Sequence, residues 1–224
     1  MAEPVRQPGT AAAVGAERDP ARLVTFSDAV IAISITLLVL EIRPPEDTQH
    51  LIDSLAVLWP SYLAYALTFL LIGQVWANHH AMFDHLRSAD GVVLLLNTLL
   101  LMAIAFLPFA ASVLAAAFRH GHGQRTAVVF YGISLELAAV VFNAIWTYAR
   151  RGNRLLDPAV DAAAGRALSR RFRLAPFWIA AGILLGALLP ILGVAVITAL
   201  IPFYWLPIRG ENARERRRRN GGRD

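Results

Sequence analysis

The sequence predicts an all-α membrane protein built from six transmembrane helices. Three observations carry the prediction. The chain is 57% hydrophobic and 17% charged, whereas soluble domains sit near about 45–50% apolar and about 25% charged. Its apolar residues fall into long runs, most of them the length of about 20 residues that crosses a bilayer as a helix. Its 21 basic residues are all arginine and gather in alternate connecting segments.

Residues 1–21 are rich in Ala, Pro and Gly and lack the apolar core of a signal peptide, so they are expected to form a disordered tail. The first span, Arg22 to Ile42, then serves as its own retained insertion signal. It carries two carboxylates, Asp28 and Glu41, and three hydroxyls, Ser27, Ser34 and Thr36. An acid in hydrocarbon is costly, which makes it a candidate for a site or a pathway. Ile33, Leu37 and Leu40 recur at i, i+4 and i+7, forming one apolar stripe. Asp28 lies roughly 140° from Ile33 around the helix, so the helix has an apolar front and an acidic back.

Arg43-Pro44-Pro45 ends this span, because proline cannot continue a helix and restricts the residue before it. The second span is predicted from Ile52 to Asn78, with Trp59 and Trp76 as interfacial aromatics. A polar, histidine-rich loop is predicted from His79. The third span, Val92 to Phe118, contains Asn97 and a kink-forming Pro108; the fourth, Thr126 to Tyr148, contains Glu136 and Asn143. Arg150 to Arg173 carries seven arginines and reads as a connecting stretch. The last apolar block, Leu174 to Ile208, would be roughly 52 Å long as one helix against a hydrocarbon core of about 30 Å. Two short spans joined near Leu189-Pro190 fit better. The helical domain is thus 22–208, followed by a basic tail, 209–224.

With both termini inside, the inner segments hold 18 of the 21 arginines; the outer loops hold Arg43, Arg119 and Arg125. The positive-inside rule therefore orients the chain with N- and C-termini cytoplasmic, as a multi-pass protein of the cell (inner) membrane. The RERRRR run is expected to touch anionic headgroups rather than nucleic acid, since it directly follows a membrane span.

No Ser/His/Asp constellation, glycine-rich phosphate loop or HExxH run appears, so the sequence does not read as an enzyme. No cofactor is implied. His79, His80 and His85 lack a second cluster at zinc spacing. One of these histidines is instead expected to hydrogen-bond a buried acid, since Asp28 and the His79 region lie at a matching depth. Glu136 and Asn143 are read either as part of a proton path or as a pair satisfying each other between helices.

The element Arg22-x-x-x-Phe26-Ser27-Asp28, followed by AVIAISITLLVLEI, resembles the signature of the transmembrane protein 175 family, the lysosomal and prokaryotic potassium channels. The resemblance extends to Trp76-x-x-His79-His80, to Asn97 with LLLMAIAFLPF, and to a C-terminal hairpin ending in WLPI. It implies a potassium-permeable channel without a carbonyl filter, assembled as a homotetramer with the first helix of each subunit lining a central pore. The positions matching the family's hydrophobic constriction are Ile33, Leu37 and Leu40. Thr36 matches a threonine associated with cation selection. Arg22, Phe26, Ser27, Asp28, Trp76, His79 and Asn97 would form a supporting polar network, and K⁺ would be the only metal, in transit. Ala32 departs from the pattern, standing where some relatives have serine.

Two other classes stay open. A proton-coupled transporter or proton leak would use Asp28, Glu136 and histidines, although no internal repeat is visible. A non-conducting membrane scaffold would need only the arginine-rich tails. Glu41 is read either as concentrating cations at the outer mouth or as a solvated helix end.

Overall fold

The computed structural model describes residues 19–205, apart from 154 and 159–161, and they are almost entirely helical. The first helix, α1 (Ala21–Leu37), tightens into a 3-10 turn over Leu38–Glu41. It stops where Ile42 becomes extended, just ahead of the two prolines. Along α1 the buried residues are Ser27, Ile31, Ser34 and Leu38, spaced four, three and four apart. That spacing is an inward seam, and two of its members are serines small enough to let a neighbouring helix approach closely.

The second predicted span needs correction at both ends. Ile52 belongs to a separate short helix, α2 (Leu51–Val57), which buries no residue. The membrane-crossing helix is α3 (Trp59–Phe83). Pro60 explains the break: it has no N–H to bond back to Ala56, and its fixed φ suits the first turn of a new helix. The other end runs past Asn78 to Phe83, so the predicted histidine-rich loop begins as helix and His79 is fully buried inside α3.

The centre of the bundle is α4 (Gly91–His120). Its buried residues Val93, Asn97, Leu100, Ile104, Leu107, Ala111 and Leu114 alternate steps of four and three, a seven-residue seam on an unbroken helix that runs through Pro108. The Asp90 carboxylate caps its start by accepting from the N–H groups of Val92 and Val93 at 3.1 and 3.0 Å. Gly121 and Gly123, both with positive φ, make the tight reversal into α5 (Gln124–Arg150). These two form the most extensive helix pair of the bundle.

The arginine-rich stretch is not simply a connection, because Arg166 to Arg173 form the opening turns of α6 (Ala162–Leu188). The chain reverses at Leu189 into α7 (Pro190–Thr198) and then α8 (Leu200–Trp205), as the hydropathy predicts. Among the described residues, five helices are long and apolar enough to cross a membrane, and Pro190–Phe203 is a shorter apolar sixth. The fold is therefore that of a multi-pass membrane protein.

Candidate functional site

The site is α1 with its two faces. Its inner face is tied to the bundle by a chain of directed hydrogen bonds. The His79 Nε2–H donates to Asn97 Oδ1 at 2.9 Å, Asn97 Nδ2 donates to Ser27 Oγ at 2.8 Å, and Ser27 Oγ donates to the Leu23 carbonyl at 2.8 Å. The direction follows from the chemistry: once Ser27 accepts from the amide, its own proton is free for Leu23, and Asn97 needs a donor at its oxygen. All three side chains are at most 1% exposed. The chain thus joins α1, α3 and α4 in a setting where an unmade bond is expensive. The His79 ring also lies against Phe83, centroids 4.5 Å apart.

A second tie sits nearer the surface, where Trp76 Nε1 donates to Asp28 Oδ1 at 3.0 Å. This corrects the expectation that a histidine of the His79 region would pair with Asp28. Trp76 and His79 are three residues apart on α3; the first turns to α1, while the second reaches across to α4. Arg22 and Phe26 lie on the exposed side of α1.

The outer face carries the apolar stripe. Ile33 is 58% exposed, Leu37 43% and Leu40 72%. Thr36 lies among them, also exposed, and its hydroxyl donates to the Ile33 carbonyl at 2.8 Å. That bond uses the proton and leaves oxygen lone pairs directed away from the helix. Ile35, roughly 160° from Ile33, is half-buried and packed against the core. The exposed stripe and the buried seam of Ser27, Ile31, Ser34 and Leu38 thus lie on opposite sides of α1, with the partly buried Asp28 beside the seam.

Beyond α1, Glu41 is exposed at the end of the 3-10 turn. In the following loop, Asp47 accepts from the Gln49 N–H at 2.8 Å and faces His50, and these contacts hold its carboxyl below the usual carboxylate range. Glu136 and Asn143 do not satisfy each other. They stand two turns apart, about 10.5 Å along α5; Asn143 donates to the Ala139 and Phe172 carbonyls, and Glu136 Oε2 is buried without a hydrogen-bond partner. Among the described residues no three His, Asp or Glu side chains are grouped to hold a metal. Polar ties that the sequence does not signal include Thr68 with Tyr131, Tyr148 with Asp90, and Trp146 with Ser169. Each joins helices distant in sequence, and no local spacing signals it.

The inner ties predict a ranking. Asn97→Ala strands the buried His79 Nε2–H, at about 1–3 kcal/mol for the orphaned group, and removes the interhelical bond of Ser27, which keeps only its own-helix bond to Leu23. Asp28→Ala frees a Trp76 that is already 45% exposed, at a smaller cost. In detergent, Asn97→Ala is expected to lose most of its monodisperse size-exclusion peak and Asp28→Ala to keep more of it; the reverse order would remove the buried chain as the main tie of α1.

Comparison with known proteins places this arrangement. The family described as the endosomal/lysosomal potassium channel TMEM175 matches residues 22–108, the stretch from Arg22 through Asn97 to Pro108. A potassium channel of Streptomyces collinus is 39% identical over 155 residues, covering 68% of this chain and 75% of that protein. The mouse endosomal/lysosomal proton channel TMEM175 is 34% identical over 151 residues, covering 62% of this chain and 30% of the longer mouse protein. A crystal structure of a lysosomal potassium-selective channel TMEM175 homologue from Chamaesiphon minutus superposes with a TM-score of 0.75 at 34% identity, covering 83% of this chain and 96% of the other. The chain belongs to the TMEM175 family of ion channels.

Proposed function

We propose that the protein is a potassium-permeable channel that conducts passively, as a homotetramer whose four α1 helices surround the pore. One observation carries the reading: α1 keeps an apolar stripe with one hydroxyl, Ile33, Thr36, Leu37 and Leu40, on the outside of its subunit while its other face is locked to α3 and α4. A stripe outside the subunit encloses a path only when several copies bring their stripes together. Rings of branched side chains would narrow that path and disfavour water, so an ion passes by partial wetting or dehydration. Thr36 oxygens would offer lone pairs to an ion losing water there. The protein would sit in the cell membrane with both termini cytoplasmic, its basic tail against anionic headgroups and without nucleic acid as a partner.

The test is ion flux from liposomes holding the purified protein, with valinomycin and a protonophore as controls. Potassium efflux without protonophore is the expected result; flux only of protons would favour the second reading. That reading, a proton leak, is supported by the unpartnered buried oxygen of Glu136 and by the name of the mouse relative. In the same liposomes Thr36→Val, nearly isosteric, is expected to lower the K⁺ to Na⁺ permeability ratio roughly threefold to tenfold, the worth of about one hydrogen-bond-sized contact. An unchanged reversal potential would reduce Thr36 to a packing hydroxyl.

A further inference from the structure

At the arginine-rich end of the bundle, away from α1, a cleft of about 460 Å³ opens between the last turns of α5 and the first turns of α6. Asn143, Trp146, Arg150, Arg151, Ser169 and Arg173 line it. Arg150 is held in place on two sides. Its guanidinium lies over the Trp146 ring, 5.8 Å from the centroid, and donates to Ser169 Oγ. Ser169 Oγ also accepts from Trp146 Nε1 at 2.7 Å and donates to the Gly165 carbonyl at 2.7 Å, so the serine is fully engaged. Arg173 is drawn to the same turn, its Nε donating to the Ser169 carbonyl at 3.4 Å. Arg150 and Arg173 therefore line one space with part of their conformational freedom already spent, and Arg151 adds a third, exposed guanidinium.

The charge balance favours an anion. The end of α5 presents about half a negative charge from its free carbonyls, against three full positive charges. Guanidinium groups match phosphate oxygens in a planar, paired geometry. A second cavity settles which phosphate. An apolar crevice of about 80 Å³ shares Asn143 with the cleft and is walled by Phe142, Phe172, Ala175 and Ile179, with Gln74 and Asn78 as further polar walls. On α5 the lining steps from Arg150 to Asn143 and on to Ala139; on α6 it steps from Arg173 to Ala175 and Ile179. Both helices lead from charge at the membrane surface to apolar walls within it. Such a shape fits an amphiphile with a phosphate head and an acyl chain.

We infer that this cleft binds the phosphate headgroup of an anionic membrane phospholipid, with the start of an acyl chain in the crevice beneath. The inference is independent of the pore reading. It is tested by native mass spectrometry of the full chain after incubation with vesicles of equal phosphatidylcholine and phosphatidylglycerol. Wild type is expected to retain phosphatidylglycerol over phosphatidylcholine by about tenfold, and the Arg150→Gln/Arg173→Gln variant to lose that preference. Arg151→Gln, which changes an exposed side chain, is expected to weaken retention several-fold; should the double variant fail to fold, this arm decides alone. Arg119→Gln/Arg125→Gln, which removes the same charge beside the Gly121–Gly123 reversal at the other end of α5, is expected to retain lipid as wild type does. Excess inorganic phosphate is expected not to displace the lipid. Equal retention of the two lipids, unchanged retention in Arg151→Gln, equal loss in the Arg119→Gln/Arg125→Gln variant, or displacement by phosphate would each overturn the assignment.

Discussion

Potassium flux through the reconstituted protein is expected to rise roughly tenfold when Ile33 becomes asparagine, equivalent to about 1.4 kcal/mol off the barrier, with weaker discrimination against sodium. The same change at Ile35 is expected to bring no gain in flux and a loss of yield. The pair is informative because the two residues are alike in chemistry and separated by only two positions. Ile33 is 58% exposed on the outside of the subunit, whereas Ile35 packs against the core. In a wetted constriction an amide replaces a water-repelling surface with a hydrogen-bonding one, which lowers the barrier. Among packed helices the same amide finds no partner and costs about 1–3 kcal/mol. Liposome flux and detergent size-exclusion yield, measured together, read both effects. If Ile35→Asn opened the pathway and Ile33→Asn only destabilised, the pore would lie on the other face of α1. If neither raised flux, the stripe would be a lipid-facing or subunit-packing surface and the proposed constriction would fall.

The stripe was legible in the sequence because it depends on one helix alone. Ile33, Leu37 and Leu40 share a face by helical geometry, and the opposite face had to be the one bearing Asp28. The reversal at Leu189 was legible for a similar reason: an apolar block too long for one crossing, with a proline near its middle, has few other solutions. What escaped depends on neighbours. A helical wheel says where His79 sits on α3, but not that α4 rather than α1 lies in front of it, so Asp28 was the wrong partner and Asn97 the right one. The start of α3 is hidden because the apolar run continues across Pro60, although the ring removes the bond back to Ala56. The arginines of α6 looked like a loop because their count spoke of orientation. Their partners, Trp146 and Ser169, are set by a helix pairing that the sequence does not display.

The short final pair of helices is held by a different means, and it gives the sharpest structural prediction. Pro190–Phe203 is an apolar segment of about 21 Å at the usual rise, short for a crossing, so α7 depends on close contact with α6. That contact is backbone against backbone. A methyl group added at Gly193 would lie 2.3 Å from the Gly186 Cα, 2.6 Å from its nitrogen and 2.8 Å from the Gly182 carbonyl oxygen. Gly182 and Gly186 are four apart, the small-residue spacing that lets membrane helices touch. No side-chain rotation relieves the clash at Gly193, so the helices would have to separate and give up the dispersion contacts on which membrane packing rests. Gly193→Ala is therefore expected to cost at least about 3 kcal/mol, the upper end for overpacking, and to abolish the monodisperse peak or lower the detergent melting temperature sharply. Gly182→Ala should be milder, because its first obstacle at 2.6 Å is a side-chain carbon of Ile197, and the nearest backbone atom stands off at 3.3 Å. Gly73→Ala, on α3 with nothing within 4 Å, should behave as wild type or melt slightly higher. Thermal unfolding of the three variants in one detergent orders them directly. A Gly193→Ala protein that melts with Gly73→Ala would mean that α6 and α7 do not approach this closely in the membrane, and that the short final segment is secured by something other than its glycines.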